Sequence, residues 1–400
     1  MNKRLLRAKN KLQEILVSSH RLAPVMPFKT YAENYDKNCY HLIEAGRETV
    51  VLSNCFFGEE SVLPEKQVLP EAYWAELHHG KVIGNSGAVI TANHKLLYDM
   101  LASCDVYHAN MTDQGLFLLF GKPHHIGNQY FYNYLRKKGK RIENGISLAS
   151  YMSNNSYHFM FQVAAKFYYI ELADIDRSVP LLVDEQVLKT PQMKEVVNLL
   201  NKDSREIIPL KAEVLYEVDT LYCLSDPNIV IPNRKRIDDD CLHSFAFDKK
   251  ALDYLRSRIM GPSLPTKKTF PKRIFLSRRD CNKRRINEDE LRPILEKYGF
   301  EFVYTGEMDI VSQALMFNQA EHIIGPSGAA FTNLLFCSKG CHVLLFVSYR
   351  HNTTCYSSLA APLGGDIMFL AGNGHSSKLH LGYYKVDSQM LERYLQSIYK

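Results

Sequence analysis

The chain's 400 residues, 46% of them hydrophobic, can bury more than one core, and roughly 100–200 residues per domain predicts two or three domains. The net charge of +6 is small for that length, and no apolar run of ~20 residues is present, which excludes a transmembrane helix. Nine cysteines without a Cys-x-x-Cys pair exclude the common structural zinc sites, and an odd count with no secretory signal points to a reducing compartment.

In chain order, residues 1–21 come first, with Lys3, Arg4, Arg7, Lys9, Lys11 and Arg21 against Glu14, and Leu5, Leu12 and Leu16 at roughly helical spacing. A basic amphipathic arm of this kind suits peripheral contact with an anionic membrane, and a solvated or packed helix is an equal reading. Residues 22–240 read as a first α/β domain with strands at Val50–Phe57, Ala88–Ala92 and Leu116–Phe120. Gly121–Gly127, with His124 and His125, reads as an exposed loop. Tyr157–Leu172 is apolar on nearly every face, which predicts one buried helix, and His158 near its start shares a face with Gln162. A lone histidine there is commonly a core residue bonded to backbone; beside a cleft it can be a base. Asp174-Ile175-Asp176 matches a short metal-binding triplet, but it follows a helix with no strand before it and such triplets arise by chance. Between Ser225 and Phe247 prolines, asparagines and charges interrupt the apolar pattern, with Asp238–Asp240 as linker solvation, so the second domain is expected over 241–386.

That second domain alternates strand and helix. After a helix at Asp248–Met260 and a proline-bearing loop at Gly261–Lys272 comes a strand at Arg273–Ser277. Asn287 with Glu290 then suggests a capping box for a helix whose face is Leu291, Ile294, Leu295 and Tyr298, with Gly299 as its stop. A strand at Phe300–Tyr304, a helix capped by Asp309, a strand at His322–Ile324, the turn Gly325-Pro326-Ser327-Gly328-Ala329-Ala330 into a helix through Cys337, and a strand at His342–Phe346 follow. Strands separated by such helices imply a parallel sheet with a ligand crevice at its carboxyl ends. Between Lys272 and Arg285 lie seven basic residues and one acid, Asp280. With the glycine-rich turn at a neighbouring strand end, this segment suits a diphosphate, although a solvated basic face and a plain tight turn would look the same. A final helix is expected in 387–400.

RIFLSRR from Arg273, the INEDEL helix start, GFEFVY, the helix containing Gln313 and IIGPSGAAFTNLLF together resemble family 61 glycosyltransferases. The resemblance extends upstream to Asn154-Asn155-Ser156-Tyr157-His158-Phe159-Met160 and Pro180–Asp184, and downstream to Tyr356–Gly364. It implies a GT-B-like α/β fold: two Rossmann-like domains with the cleft between them, an acceptor-side first domain, a donor-nucleotide-binding second domain, and a last helix that can cross back to the first. It also implies metal-independent transfer from a nucleotide-sugar donor with inversion. The chain departs from the family at Ser327, where many relatives have His, and at Gln162, where the family has Asp.

The chemistry then assigns roles. An inverting transferase needs a base for the acceptor hydroxyl; His158 is the candidate, with Tyr157, Gln162 and Glu307 as further site residues and Asp309 a weaker one that ordinarily caps its helix. The leaving diphosphate needs fixed cations and backbone donors: Arg279 and Arg285, with Arg278 beside them, and the N–H groups of Ser327, Gly328 and Ala329. Asn333 on the same helix is either a donor contact or a buried packing amide. The expected activity is sugar transfer onto a glycan or glycolipid acceptor in cell-surface (capsular polysaccharide) biosynthesis, without a metal or other cofactor. A cytoplasmic setting at the inner face of a bacterial plasma membrane is expected. A polysaccharide pyruvyl transferase, or a catalytically silent glycan- or nucleotide-binding homologue acting as a scaffold, are the alternatives. A nucleic-acid partner is disfavoured because the basic segment is short and lacks interleaved aromatics. Sequence leaves the oligomeric state open.

Overall fold

The structure is a computed structural model that describes residues 22–98, 124–126, 129–134, 136–230, 244–261, 268–279, 281–350, 353–373 and 382–399. The basic arm, the strand expected at Leu116–Phe120 and Asp238–Asp240 lie outside the described residues. The fold is mixed α/β, and its contacts separate two units: Met1–Arg47 with Pro70–Pro232, and Glu48–Leu69 with Asn233–Lys400. Among the described residues no helix is long and apolar enough to cross a membrane.

The first unit is built on a mixed sheet. Parallel strands Ile207–Leu210, Leu181–Asp184, Ile142–Ser147 and Val214–Leu224 lie side by side in that order. Val214–Leu224 then pairs antiparallel along Ala72–Ile83. Both long strands are rich in β-branched and aromatic residues and bury one face in a core of Tyr73, Ala75, Leu77, Leu182, Val218 and Leu221. The strand expected at Ala88–Ala92 is shorter, Val89–Ile90. The loop expected around His124 and His125 contains a strand, His124–Ile126, paired antiparallel with Gln129–Asn133; the sequence signal for it was the Gly127-Asn128 dipeptide between two runs of strand length.

The helix expected over Tyr157–Leu172 is present but not regular. Ser156–His158 is α-helical, Phe159–Ala164 is a π-turn, and Lys166–Leu172 returns to α. The Ala165 N–H reaches back five residues to the Met160 carbonyl (3.1 Å), so one extra residue is inserted in the turn beside His158. Hydrophobic periodicity cannot reveal such an insertion when every face is buried.

Among the described residues, the second unit holds five parallel strands in the spatial order Glu301–Val303, Arg273–Leu276, His322–Pro326, His342–Val347 and Asp366–Ala371. The chain thus starts in the sheet at Arg273–Leu276, steps to one side, and returns to continue on the other. The order reverses between Arg273–Leu276 and His322–Pro326, so this is where an open α/β sheet parts its loops into a binding crevice. Helices Glu288–Lys297 and Ser388–Ile398 share one core with the strands through Leu291, Leu295, Leu391 and Leu395. Alternate strand residues Ile274, Ile323, Val343 and Leu345 are also buried, so the opposite face is covered too. The terminal helix therefore packs within the second unit.

Local signals fared unevenly here. Asp309 caps helix Ile310–Gln319, accepting from the Ser312 N–H at 2.6 Å. Gly299 ends helix Glu288–Lys297 with φ 73°, a left-handed conformation that favours glycine. The capping box at Asn287 does not form. Its amide instead bonds Val386 on both sides (2.8 and 3.0 Å) and donates to Glu290 Oε2 at 2.8 Å, pinning a distant segment rather than the helix N–H groups. The strand expected at Val50–Phe57 runs Arg47–Val51, and Phe56 makes only a single bridge with Phe369 at the edge of the main sheet.

Candidate functional site

Two clusters account for the chemistry-bearing residues, one in each unit. In the second unit the loop after Arg273–Leu276 and the loop after His322–Pro326 meet at the reversal point of the sheet. Arg278 places its guanidinium against Gly328: a Cβ there would overlap Nη1 and lie 3.0 Å from Cζ, so any larger residue would displace the guanidinium. Nε and Nη2 of Arg278 donate to the Lys283 carbonyl at 3.2 and 3.1 Å, holding the fork in place. Arg284 reaches the same turn, Nη1 donating to the Ser327 carbonyl at 3.4 Å, from a backbone at φ 56°. A non-glycine residue in that left-handed region costs energy, and such strain concentrates where side-chain placement matters. Among the described residues neither Arg278 nor Arg284 is paired with a carboxylate.

Aromatic hydroxyls fix the turn from below. Tyr356 donates to the Gly328 carbonyl at 2.7 Å, and Tyr384 donates to the Phe346 carbonyl at 3.0 Å. Burial pushes both phenols far up from the ordinary tyrosine range, while the charges of Arg284 and Arg278 pull in the other direction. Burial likewise pushes the Cys355 thiol up to about 12, again against Arg284. The arrangement is a rigid neutral floor under two cations.

Of the arginines named from the sequence, Arg278 belongs to this cluster, while Arg279 and Arg285 make no contact with the Gly328 turn among the hydrogen bonds and ion pairs of the described residues. Arg279 forms an ion pair with Asp289, both exposed at 43% and 88% of their side chains, and Arg285 is exposed. The Ser327 N–H donates to the Phe346 carbonyl at 2.8 Å and is spent, which corrects its assignment as an anion donor. Gly328 and Ala329 stand at the start of the 3₁₀ helix Ala329–Phe336, where backbone N–H groups lack intrahelical partners. Asn333 is buried and donates to Gln313 Oε1 at 2.8 Å and to the Ala330 carbonyl at 3.1 Å, the packing-amide alternative. Glu307 is exposed at the end of a short 3₁₀ turn. Arg284 was missed as a site residue, although it belongs to the basic run, because a left-handed backbone at that position has no sequence signal.

In the first unit His158 and Gln162 are 6% and 3% exposed. His158 Nδ1 and Gln162 Oε1 are 2.7 Å apart, and Gln162 Nε2 lies 3.3 Å from the Val230 carbonyl. A carbonyl only accepts, so the amide NH₂ must face Val230 and Oε1 must face the imidazole. His158 therefore carries its proton on Nδ1 and keeps the lone pair on Nε2. Burial lowers its pKa, partly offset by the bond it donates to Gln162, so the ring stays neutral at neutral pH. Tyr157 is buried with its ring edge-on to His158 at 5.9 Å. Asp176, from the Asp-x-Asp triplet, accepts from the Ser178 N–H and hydroxyl at 2.7 and 2.6 Å and closes a turn.

Residues 156–344 match a family model described as Glycosyltransferase 61, a span that includes the His158 helix, the loop carrying Arg278 and Arg284, and the Gly328 turn. No curated protein matches the chain. Residues 156–344 thus form a glycosyltransferase family 61 domain, which supports a glycosyltransferase activity for the chain.

Proposed function

We propose that the protein is an inverting transferase of GT-B type that needs no metal and transfers a sugar from a nucleotide donor to a glycan or glycolipid acceptor of the cell surface. The observation that carries this reading is the pair of guanidiniums, Arg278 and Arg284, at the reversal point of a parallel sheet with no carboxylate partner among the described residues. Two cations beside the N–H groups of Gly328 and Ala329 suit a diphosphate, because arginine's planar fork meets phosphate oxygens with paired hydrogen bonds. They would stabilise the leaving group as its charge develops, the task a divalent ion performs in metal-dependent transferases.

In the reaction the acceptor hydroxyl oxygen bonds to the anomeric carbon from the face opposite the diphosphate. The carbon–oxygen bond to phosphate breaks and its electron pair stays on the diphosphate, while His158 Nε2 takes the hydroxyl proton. The Nδ1–H tautomer supports this assignment, since it leaves Nε2 basic. A glutamine in the partner position orients the ring without adding a charge that would protonate it.

The test is consumption of UDP-, GDP-, ADP- and CMP-sugars in EDTA, read as nucleotide release and, by NMR, as the anomeric configuration of the product. Release of one nucleotide with inverted product is expected, lost in His158→Ala and Arg284→Ala. Retained configuration, or turnover that requires a divalent ion, would overturn the mechanism.

A further inference from the structure

The first unit contains a small recess, open to solvent, at the point where its own parallel strands reverse order. From Ile142–Ser147 the sheet extends outward through Leu181–Asp184 to Ile207–Leu210, while Val214–Leu224 lies on the other side. Ser150 and Tyr151 follow the first of these strands and Asp226 follows the last, and all three line the recess. Open sheets bind ligands where neighbouring loops part in this way.

Its polar lining is a built pair. Lys166 Nζ lies 2.8 Å from Asp226 Oδ1, with 11% and 26% of the two side chains exposed. Lys166 is held by the helix that carries His158, one turn beyond Gln162, and Gln162 lines the same recess. An ammonium has three N–H donors and Asp226 occupies one; a carboxylate likewise accepts more than one bond. The charges cancel, so the recess holds no net attraction for an anion. It presents a strong donor and a strong acceptor side by side, which matches adjacent hydroxyls, each able to give and to take one hydrogen bond. Gly87, Tyr151 and Asp226 keep partial exposure and mark the mouth, so Tyr151 offers a ring to the C–H face of a sugar.

We infer that one neutral sugar ring of the acceptor binds across the mouth of this recess, with Lys166 and Asp226 bridging a pair of its hydroxyls and Tyr151 packing on its face. The inference rests on the transferase reading and deepens it: the residues that select the acceptor sit on the same helix as the base, with Gln162 common to both. Uronic acids should bind no better than neutral sugars, since the Lys166–Asp226 pair carries no net charge.

The test is saturation-transfer NMR on the full chain, without nucleotide, using the methyl glycosides of glucose, galactose, mannose, xylose and N-acetylglucosamine, and methyl glucuronide. At least one neutral glycoside is expected to receive saturation, and its Kd to rise at least tenfold in both Lys166→Met and Tyr151→Ala. Tyr151→Ala leaves the ion pair intact, so its effect is not one of folding, and thermal melts check both variants. Arg284→Ala, in the other unit, should bind the glycoside as wild type does. Absence of any glycoside signal, unchanged Kd in folded variants, or tightest binding of methyl glucuronide would each overturn the inference. Nucleotide titration separates the two claims: lost nucleotide binding with intact glycoside binding strikes the transferase reading, and the converse strikes only the recess.

Discussion

Replacing Gly328 with alanine should disable the proposed donor site while leaving the fold nearly untouched. The backbone there is extended (φ 176°, ψ 172°), which alanine adopts freely, so the whole effect falls on what the new methyl meets. It meets Arg278, overlapping Nη1 and lying 3.0 Å from Cζ. The guanidinium is the far end of a flexible side chain and can swing away, giving up its two bonds to the Lys283 carbonyl. On a half-exposed side chain that loss is about 1 kcal/mol, or a Tm drop of about 2–4 °C. A displaced guanidinium also forfeits a charge-assisted bond to phosphate, worth ~1.5–3 kcal/mol, so nucleotide Kd should rise roughly 10- to 150-fold. Gly325→Ala is the contrast: its methyl would lie 2.9 Å from Leu276 Cβ and 3.0 Å from the Leu276 carbonyl, neither of which can swing away. That variant should lose on the order of 1–3 kcal/mol of stability, as overpacked cores do. Melting curves and fluorescence titration of both variants with nucleoside diphosphates decide the matter. Gly328→Ala binding nucleotide like wild type, or melting as early as Gly325→Ala, would refute the placement of Arg278.

Arg279→Ala should weaken nucleotide binding by less than about threefold, because its ion pair with Asp289 is exposed and belongs to the surface, whereas Arg284→Ala should cost tenfold or more; calorimetric titration compares them. For His158, whose folded pKa lies below its unfolded value of 6.5, the stability contribution is present above that value and lost as pH falls through the folded pKa. The rate should follow the neutral form in the same direction, and Gln162→Glu, by favouring the imidazolium, should move the acid limb of the pH–rate profile upward. Asp184 works the opposite way. It is buried against the N–H groups of Asn85 (2.5 Å) and Ser150 (3.0 Å), and burial pushes its pKa up to about 6 from 3.8. Its stabilising share is thus full below the unfolded value and lost as pH rises through about 6, on the order of 2–3 kcal/mol in all. Urea melts of Asp184→Asn should therefore gain on wild type between pH 4 and 6 and run parallel above; a constant offset would contradict the shift.

The second unit was legible because its strands and helices are long enough for periodicity to speak and its punctuation is local: Asp309 and Gly299 act through neighbouring backbone. Asn287 misled because its amide had a better partner ninety-nine residues away at Val386, which no local rule can see. Charge drew attention to the basic loop, but which guanidiniums meet the Gly328 turn was settled by the φ of Arg284 and by the missing Cβ of Gly328, both tertiary facts. His158 and Gln162 were paired correctly by their spacing, which survives the π-turn; the tautomer needed Val230, sixty-eight residues further along the chain. The recess left no signature at all, since Lys166 and Asp226 come together only through the sheet.

Calorimetric titration of UDP, GDP, ADP and CMP in EDTA, against wild type, Arg278→Ala, Arg284→Ala and Arg279→Ala, tests the donor site most directly. One nucleotide should bind wild type without metal, tenfold or more weakly in the first two variants and almost unchanged in the third. Binding that needs magnesium, or that survives loss of Arg278 and Arg284, would contradict a diphosphate held by these two arginines.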